Sequence, residues 1–407
     1  MGRFVINGGK RLSGEIVIDG SKNAALPIIF STIAIDGVSR IENLPDISDV
    51  DVALEILRGF SARTERTADA LIIDTRNLKY ATPDEKLVSK IRASSYLIGA
   101  CLSRFGIAEI QHFGGCNFDK RPIDMHLSVA IALGATLTEN RLSCKGLCGA
   151  DIYFDKISVG ATVNAVILCA SAEGKSRIFG FAREPHVISL IDFLNRAGAD
   201  IRVLDDCIEI NGRSLSDSYA RIIPDMIEAG TYLALSLATD SRIKVIGADS
   251  YQLASFTDTL ERYGAEFDFG ENYIIAKGRL TEYAEIKTAP YPDFPTDLQP
   301  QTSPLLALFC GGRITEGVWH NRFGYLKSLS SFGVDFTLGD GFAEIKKSSL
   351  HSANERAPDL RGGAAMLICA LVSSGESVIE DCEIIKRGYT DIVNKLRKIG
   401  AEIDFSN

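Results

Sequence analysis

Apolar and polar positions along this chain recur in one order. A stretch with helical spacing is followed by Gly-Ala or a near variant. Two short runs then alternate apolar and polar residues around a tight turn. The clearest copies read FLNRAGADIRVLDDCIEING (193–212), TLERYGAEFDFGENYIIAKG (259–278) and KLRKIGAEIDF (395–405). AIALGATLTENRLSCKG (130–146) and SLSSFGVDFTLGDGFAEI (328–345) are looser, and ILRGFSARTERTADALIID (56–74) has lost its Gly-Ala. The spacing predicts a helix, the glycine its C-cap, and the alternation a half-buried hairpin.

The glycines of successive copies, Gly134, Gly198, Gly264, Gly333 and Gly400, lie 64 to 69 residues apart. That period is too long for a solenoid repeat and suits a small βαβαββ module. Each module should hold a second helix. Its starts read GSKNAALP (20–27), KIRASSYL (90–97), KISVGATV (156–163), PDMIEAGT (224–231), PTDLQPQT (295–302) and PDLRGGAA (358–365). Several open with Ser, Asp or Pro, residue types favoured at N-caps and first turns. The apolar runs behind them predict helices buried on nearly all sides. Six modules, three to a lobe, give a two-lobed α/β protein.

Lys22, Arg92, Lys156 and Arg361 fall close to these helix starts, where the macrodipole disfavours a cation. Four cations at equivalent places point to an anion, because helix N-termini suit phosphate or carboxylate. The pattern alone therefore predicts an anion-binding cleft between two lobes.

Composition narrows the choice. A chain of 407 residues has room for two domains. Its 44 basic and 53 acidic residues give a net charge of −9, which argues against nucleic acid or an anionic membrane as partner. The longest apolar runs, such as AVILCASA and AMLICALV, fall well short of the roughly 18 residues a membrane span needs. The start, MGRFVINGGK, reads as a strand and turn with no apolar signal region, so a cytoplasmic protein is expected. The nine cysteines form no CxxC pair and the five histidines are isolated, so no structural metal is expected. Most cysteines lie in apolar segments and read as buried. Cys116 is the exception, following two glycines in FGGCNFDKRPIDMH (113–126).

Nine segments resemble the signature segments of the UDP-N-acetylglucosamine enolpyruvyl transferase family. They are GSKNAALPII, RASSYLIG, GGCNFDKRPIDMH, DKISVGATVNA, AREPHVI, PYPDFPTDLQPQ, NRFGYL, DLRGGAAML and IKRGYTDI. The resemblance implies a pair of inside-out α/β barrel lobes, each with three-fold pseudosymmetry. One lobe is expected to comprise residues 1–20 with 225–407, and the other residues 21–224. It also implies a reaction: the enolpyruvyl group of phosphoenolpyruvate moves to the 3'-hydroxyl of UDP-N-acetylglucosamine, and phosphate leaves. This is the first committed step of peptidoglycan synthesis. A monomer needing no metal or organic cofactor is expected.

The same resemblance assigns roles. Cys116 would be the acid at the carbon end of phosphoenolpyruvate and the target of epoxides such as fosfomycin. Asp297 would be the base for the sugar hydroxyl. Lys22, Arg121 and Arg387 would hold the donor's phosphate and carboxylate, with Asn23 and Arg361 at the reacting centre. Arg92, Arg121, Pro122, Ile123, Asp124, Met125, Lys156, Ile157, Ser158, Val159, Asp297 and Val318 would hold the nucleotide sugar. Gly114 and Gly115 would let the Cys116 loop swing as a lid, and Gly388 would let backbone approach a ligand. One departure stands out: PDMIEAGT has Met226 where the family pattern has arginine, consistent with a secondary copy of the enzyme. The alternatives are an enolpyruvylshikimate-phosphate synthase and a non-catalytic UDP-sugar-binding paralogue.

Overall fold

The computed structural model describes residues 2–114 and 122–406, and Cys116 and Arg121 lie outside them. The described chain divides into two compact units. The first holds residues 2–19 and 224–406, the second residues 20–114 and 122–223.

In the first unit three helices form the centre: Met226–Ala238, Gln299–Phe309 and Leu360–Val372. They touch one another pairwise. Every residue from Ile227 to Ala238 is buried, as is every residue from Leu360 to Leu371. Burial on all sides explains why these segments read as apolar runs rather than stripes. Three four-stranded sheets belong to this unit. The N-terminal strand Arg3–Gly8 pairs antiparallel with both Gly375–Glu380 and Glu402–Ser406. Strand Ser13–Val17 runs parallel to Arg242–Ile246. These pairings join the first residues of the chain to residues 224–406 in one unit.

The second unit has an equivalent set: helices Lys22–Ser31, Leu97–Phe105 and Val159–Ser171. Leu97–Phe105 packs on both of the others. Two four-stranded sheets and one three-stranded sheet accompany them. All five four-stranded sheets contain one parallel and two antiparallel pairings.

Among the described residues the six sheets remain separate and close no barrel. Each unit has strands enough for a closed barrel, but they pair only within separate sheets, and three buried helices form the centre of the first unit. The mixed α/β content of the expectation stands.

Five of the helix-to-strand joints place glycine in the left-handed region, at Gly134, Gly198, Gly264, Gly333 and Gly400. The degraded copy puts Ser61 there instead, at φ 70°, after helix Ser48–Gly59. The joint has kept its geometry without its usual residue. A Cβ in that region is disfavoured by about 1–2 kcal/mol, offset in part by the greater freedom glycine has when unfolded. We therefore expect Ser61→Gly to stabilise the protein by roughly 0.5–1 kcal/mol. Thermal unfolding should show a midpoint raised by about 1–3 °C.

Candidate active site

The first unit gathers its charged groups where two central helices begin. Asp297 lies two residues before helix Gln299–Phe309. Arg361 is the second residue of helix Leu360–Val372, whose N-cap Asp359 accepts the backbone N–H groups of Arg361 and Gly362, each at 2.9 Å. Arg361 is only 3% exposed. Its Nε and Nη2 donate to Asp297 Oδ2 at 3.2 and 3.1 Å. Arg322, also buried, reaches Asp297 Oδ1 at 2.7 Å through Nη1. One carboxylate is thus shared by two buried guanidiniums. Burial works against the charge on Arg361, but the facing Asp297 and Tyr389 outweigh it and raise its proton affinity.

Arg361 is held from behind as well. The Tyr389 ring lies 5.6 Å from its guanidinium carbon. The Tyr389 hydroxyl meets Thr231 Oγ1 at 2.9 Å, and Gln301 Nε2 donates to both at 3.1 Å. Arg361 Nη1 is buried with no hydrogen-bond partner among the described residues, which leaves it a donor to spare for an anion.

Val318 donates its backbone N–H to Glu316 Oε1 at 3.0 Å. Arg387 is half-buried and caps the short helix Glu383–Lys386. The glycine after it also fits a side chain. A Cβ on Gly388 would lie 2.8 and 3.0 Å from the two Leu360 methyl carbons. Met226, the unexpected residue, begins helix Met226–Ala238 and packs against the apolar core. Two residues on, buried Glu228 pairs with Lys395 at 2.5 Å, and Lys395 also holds Asp19 at 2.6 Å. Burial raises the carboxyl of Glu228 to about 7 against the pull of Lys395.

In the second unit Lys22 and Asn23 open helix Lys22–Ser31, and Lys22 Nζ lies 3.7 Å from the buried Asp49 Oδ2. The anion expected opposite the helix-start cations is therefore in part the protein's own: Asp49 meets Lys22, and Asp297 meets Arg361. Arg92 begins a 3₁₀ turn, Arg92–Tyr96, and its burial lowers its proton affinity. Pro122 and Ile123 lead into helix Asp124–Ala132, which Asp124 and Met125 open. Lys156 and Ile157 are exposed. Ser158 caps helix Val159–Ser171, its hydroxyl accepting the Ala161 N–H at 3.3 Å.

The Cys116 loop, from Gly115 to Arg121, falls outside the described residues. Gly114 does not read as a swivel. Its N–H donates to Val88 O at 3.3 Å, and a Cβ there would sit 2.0 Å from Ser89 O. Glycine at 114 anchors the segment against backbone. Five of the eight described cysteines are buried, as expected, but Cys148 is exposed.

Four residues with evident structural roles escaped the sequence reading: Thr296, Glu316, Arg322 and His126. His126, treated as isolated, is buried against Asn164. Asn164 Oδ1 accepts the Gly99 N–H at 2.7 Å, so its Nδ2 faces Ser95 O at 3.1 Å and His126 Nδ1 at 2.6 Å. An amide donor on Nδ1 requires a neutral ring protonated at Nε2. Only the last residue of the RPIDMH motif signalled it.

The folded units match solved structures of enolpyruvyl transferases. The solved structure of the enolpyruvyl transferase NikO from Streptomyces tendae matches with a TM-score of 0.90 and 26% identity, covering 100% of this chain and 99% of that one. EPSP synthase from Acinetobacter baumannii shares the fold at a TM-score of 0.70 and 16% identity, covering 100% of both chains. The model of the EPSP synthase (3-phosphoshikimate 1-carboxyvinyltransferase) family matches residues 6–396, and the chain belongs to this enolpyruvyl transferase family. It is 38% identical to UDP-N-acetylglucosamine 1-carboxyvinyltransferase 2 of Streptococcus mutans, over 99% of both chains. It is 40% identical to UDP-N-acetylglucosamine 1-carboxyvinyltransferase 3 of Caldanaerobacter subterraneus, again over 99% of both.

Burial and the nearby Arg92 push His126 down to about 4 from an ordinary 6.5, with Asp124 opposing. A depressed folded value means the unfolded state binds more protons between those limits. The contribution of a neutral His126 is thus complete above pH 6.5 and is lost as pH falls toward 4. Denaturant unfolding of wild type and His126→Asn should reveal this. The stability difference, wild type minus variant, should shrink by about 2–3 kcal/mol between pH 7 and pH 4.5. A constant difference would mean that the ring titrates in the fold as it does in the unfolded chain.

Proposed function

We propose that this chain is a UDP-N-acetylglucosamine 1-carboxyvinyltransferase. The observation that carries the reading is full-length similarity, at 38–40% identity, to proteins bearing that name. The likeness to EPSP synthase structures is far lower, at 16%.

In the proposed reaction Asp297 takes the proton of the sugar 3'-hydroxyl as its oxygen bonds to C2 of phosphoenolpyruvate. Cys116 gives a proton to the methylene carbon, making it a methyl group. Loss of a proton from that methyl and departure of phosphate then restore the double bond. Asp297 suits its part because two buried arginines, one to each oxygen, fix the position of its carboxylate. Lys22, Arg121 and Arg387 would hold phosphate and carboxylate, with Asn23 and Arg361 at the reacting centre. Fixed cations in a dry site stabilise developing charge without reorganising at the moment of reaction. Arg92, the segment 121–125, the segment 156–159 and Val318 would take the nucleotide sugar. Three βαβαββ modules per unit are part of the same proposal, supported by six sheets and six left-handed joints.

Phosphate release from phosphoenolpyruvate, measured with each acceptor separately, tests the reading. Release should require UDP-N-acetylglucosamine. Release only with shikimate 3-phosphate would reassign the enzyme, and none with either would favour a UDP-sugar-binding paralogue. Cys116→Ser should cut turnover by about 100-fold or more, as loss of a general acid does, and abolish labelling by fosfomycin. Peptide mapping is needed because Cys148 is exposed.

A further inference from the structure

Behind Asp297 lies a second carboxylate that no substrate contact explains. Glu316 is 4% exposed and ends strand Gly312–Glu316. Its Oε1 accepts the Thr288 hydroxyl at 2.6 Å and the backbone N–H groups of Val318 and Trp319 at 3.0 Å each. Its Oε2 faces Thr296 Oγ1 at 3.0 Å. Thr296 Oγ1 in turn faces Arg322 Nη1 at 3.0 Å, and the same Nη1 lies 2.7 Å from Asp297 Oδ1.

The directions in this chain are fixed. A guanidinium nitrogen can only donate, so the oxygen of Thr296 must accept from Arg322. The one hydroxyl proton of Thr296 is then left for Glu316 Oε2, which must offer a lone pair. Reversing any link would bring two donors face to face. We propose, resting on the reaction put forward above, that Glu316 and Thr296 are positioning residues: a one-way hydrogen-bond relay that sets Arg322 against Asp297. The same carboxylate also orders the backbone at Val318, the residue assigned to the nucleotide sugar. Base alignment and nucleotide-sugar binding therefore share one buried anchor.

Isosteric changes separate the two arms. Thr296→Val removes the hydroxyl and should lower kcat by roughly 10- to 100-fold, as misplacement of a catalytic group does, with KM for UDP-N-acetylglucosamine nearly unchanged. Thr296→Ser keeps the hydroxyl and should restore kcat to within about threefold of wild type. Glu316→Gln should affect both quantities. With its nitrogen toward Thr296 it opposes a hydroxyl proton, and with its nitrogen toward Val318 it opposes two N–H groups. We expect a lower kcat together with a KM for the nucleotide sugar raised about tenfold. Thr296→Val with kcat within twofold of wild type, or Thr296→Val and Glu316→Gln sharing one kinetic phenotype, would overturn the relay.

A readout on the wild-type chain needs neither turnover nor a stable variant. Neutron diffraction from deuterated crystals should place the Thr296 hydroxyl deuterium on the line to Glu316 Oε2. Deuterium on the Arg322 side would overturn the inference even if every variant misfolded. Absence of wild-type turnover with UDP-N-acetylglucosamine would instead remove the reaction reading, and the deuterium position would still decide the relay.

Discussion

The arrangement turns on a cation placed where two physical effects oppose it. Arg361 sits in the first turn of helix Leu360–Val372, against the macrodipole, and has almost no contact with water. The dipole costs a few tenths of a kcal/mol to about 1, whereas an uncompensated buried charge costs several. The second effect decides the design. Asp297 must face Arg361, and removing that carboxylate would strand the buried guanidinium at a cost of about 3–5 kcal/mol. Such pairs contribute little net stability compared with apolar packing, so the cluster is better understood as a device for geometry.

That geometry is enforced from several sides by groups with few alternatives. Tyr389, locked by Thr231 and Gln301, backs the guanidinium of Arg361. Arg322 approaches the other oxygen of Asp297 through a side chain only 6% exposed. Because the central helices are buried on all sides, polar residues on them find partners within the protein rather than in water, as Thr231 does with Tyr389, Gln301 and the Ile227 carbonyl. The same burial that builds the core therefore fixes the rotamers around Asp297. The second unit uses the same logic with different residues. Lys22 meets buried Asp49, and neutral His126 is pinned by Asn164 beside Arg92.

Met226 shows that such a helix start can do without a cation. At the head of helix Met226–Ala238 the side chain packs into the apolar core, while Asp225 keeps its capping bonds to Ile227 and Glu228 at 2.8 and 3.1 Å. Capping and charge placement are thus separable. The helix requires Asp225, and nothing in its local hydrogen bonding requires a cation at 226.

Local chemistry was legible in the chain itself. Alternation around Gly-Ala located the hairpins, glycine's tolerance of positive φ located the joints, and apolar runs after Ser, Asp or Pro located the buried helices. Even the lost copy kept its joint, at Ser61. The segments around Lys22, Asp297 and Arg361 also marked where charge would collect. What the sequence left open was pairing. Arg361 meets Asp297 across 64 residues and Lys395 meets Glu228 across 167. Nothing in local spacing encodes which acid faces which base at such range. Glu316, Thr296 and Arg322 each look like ordinary polar residues near strand ends and turns. Only their burial together, where an unmatched donor or acceptor costs about 1–3 kcal/mol, forces them into a single ordered chain.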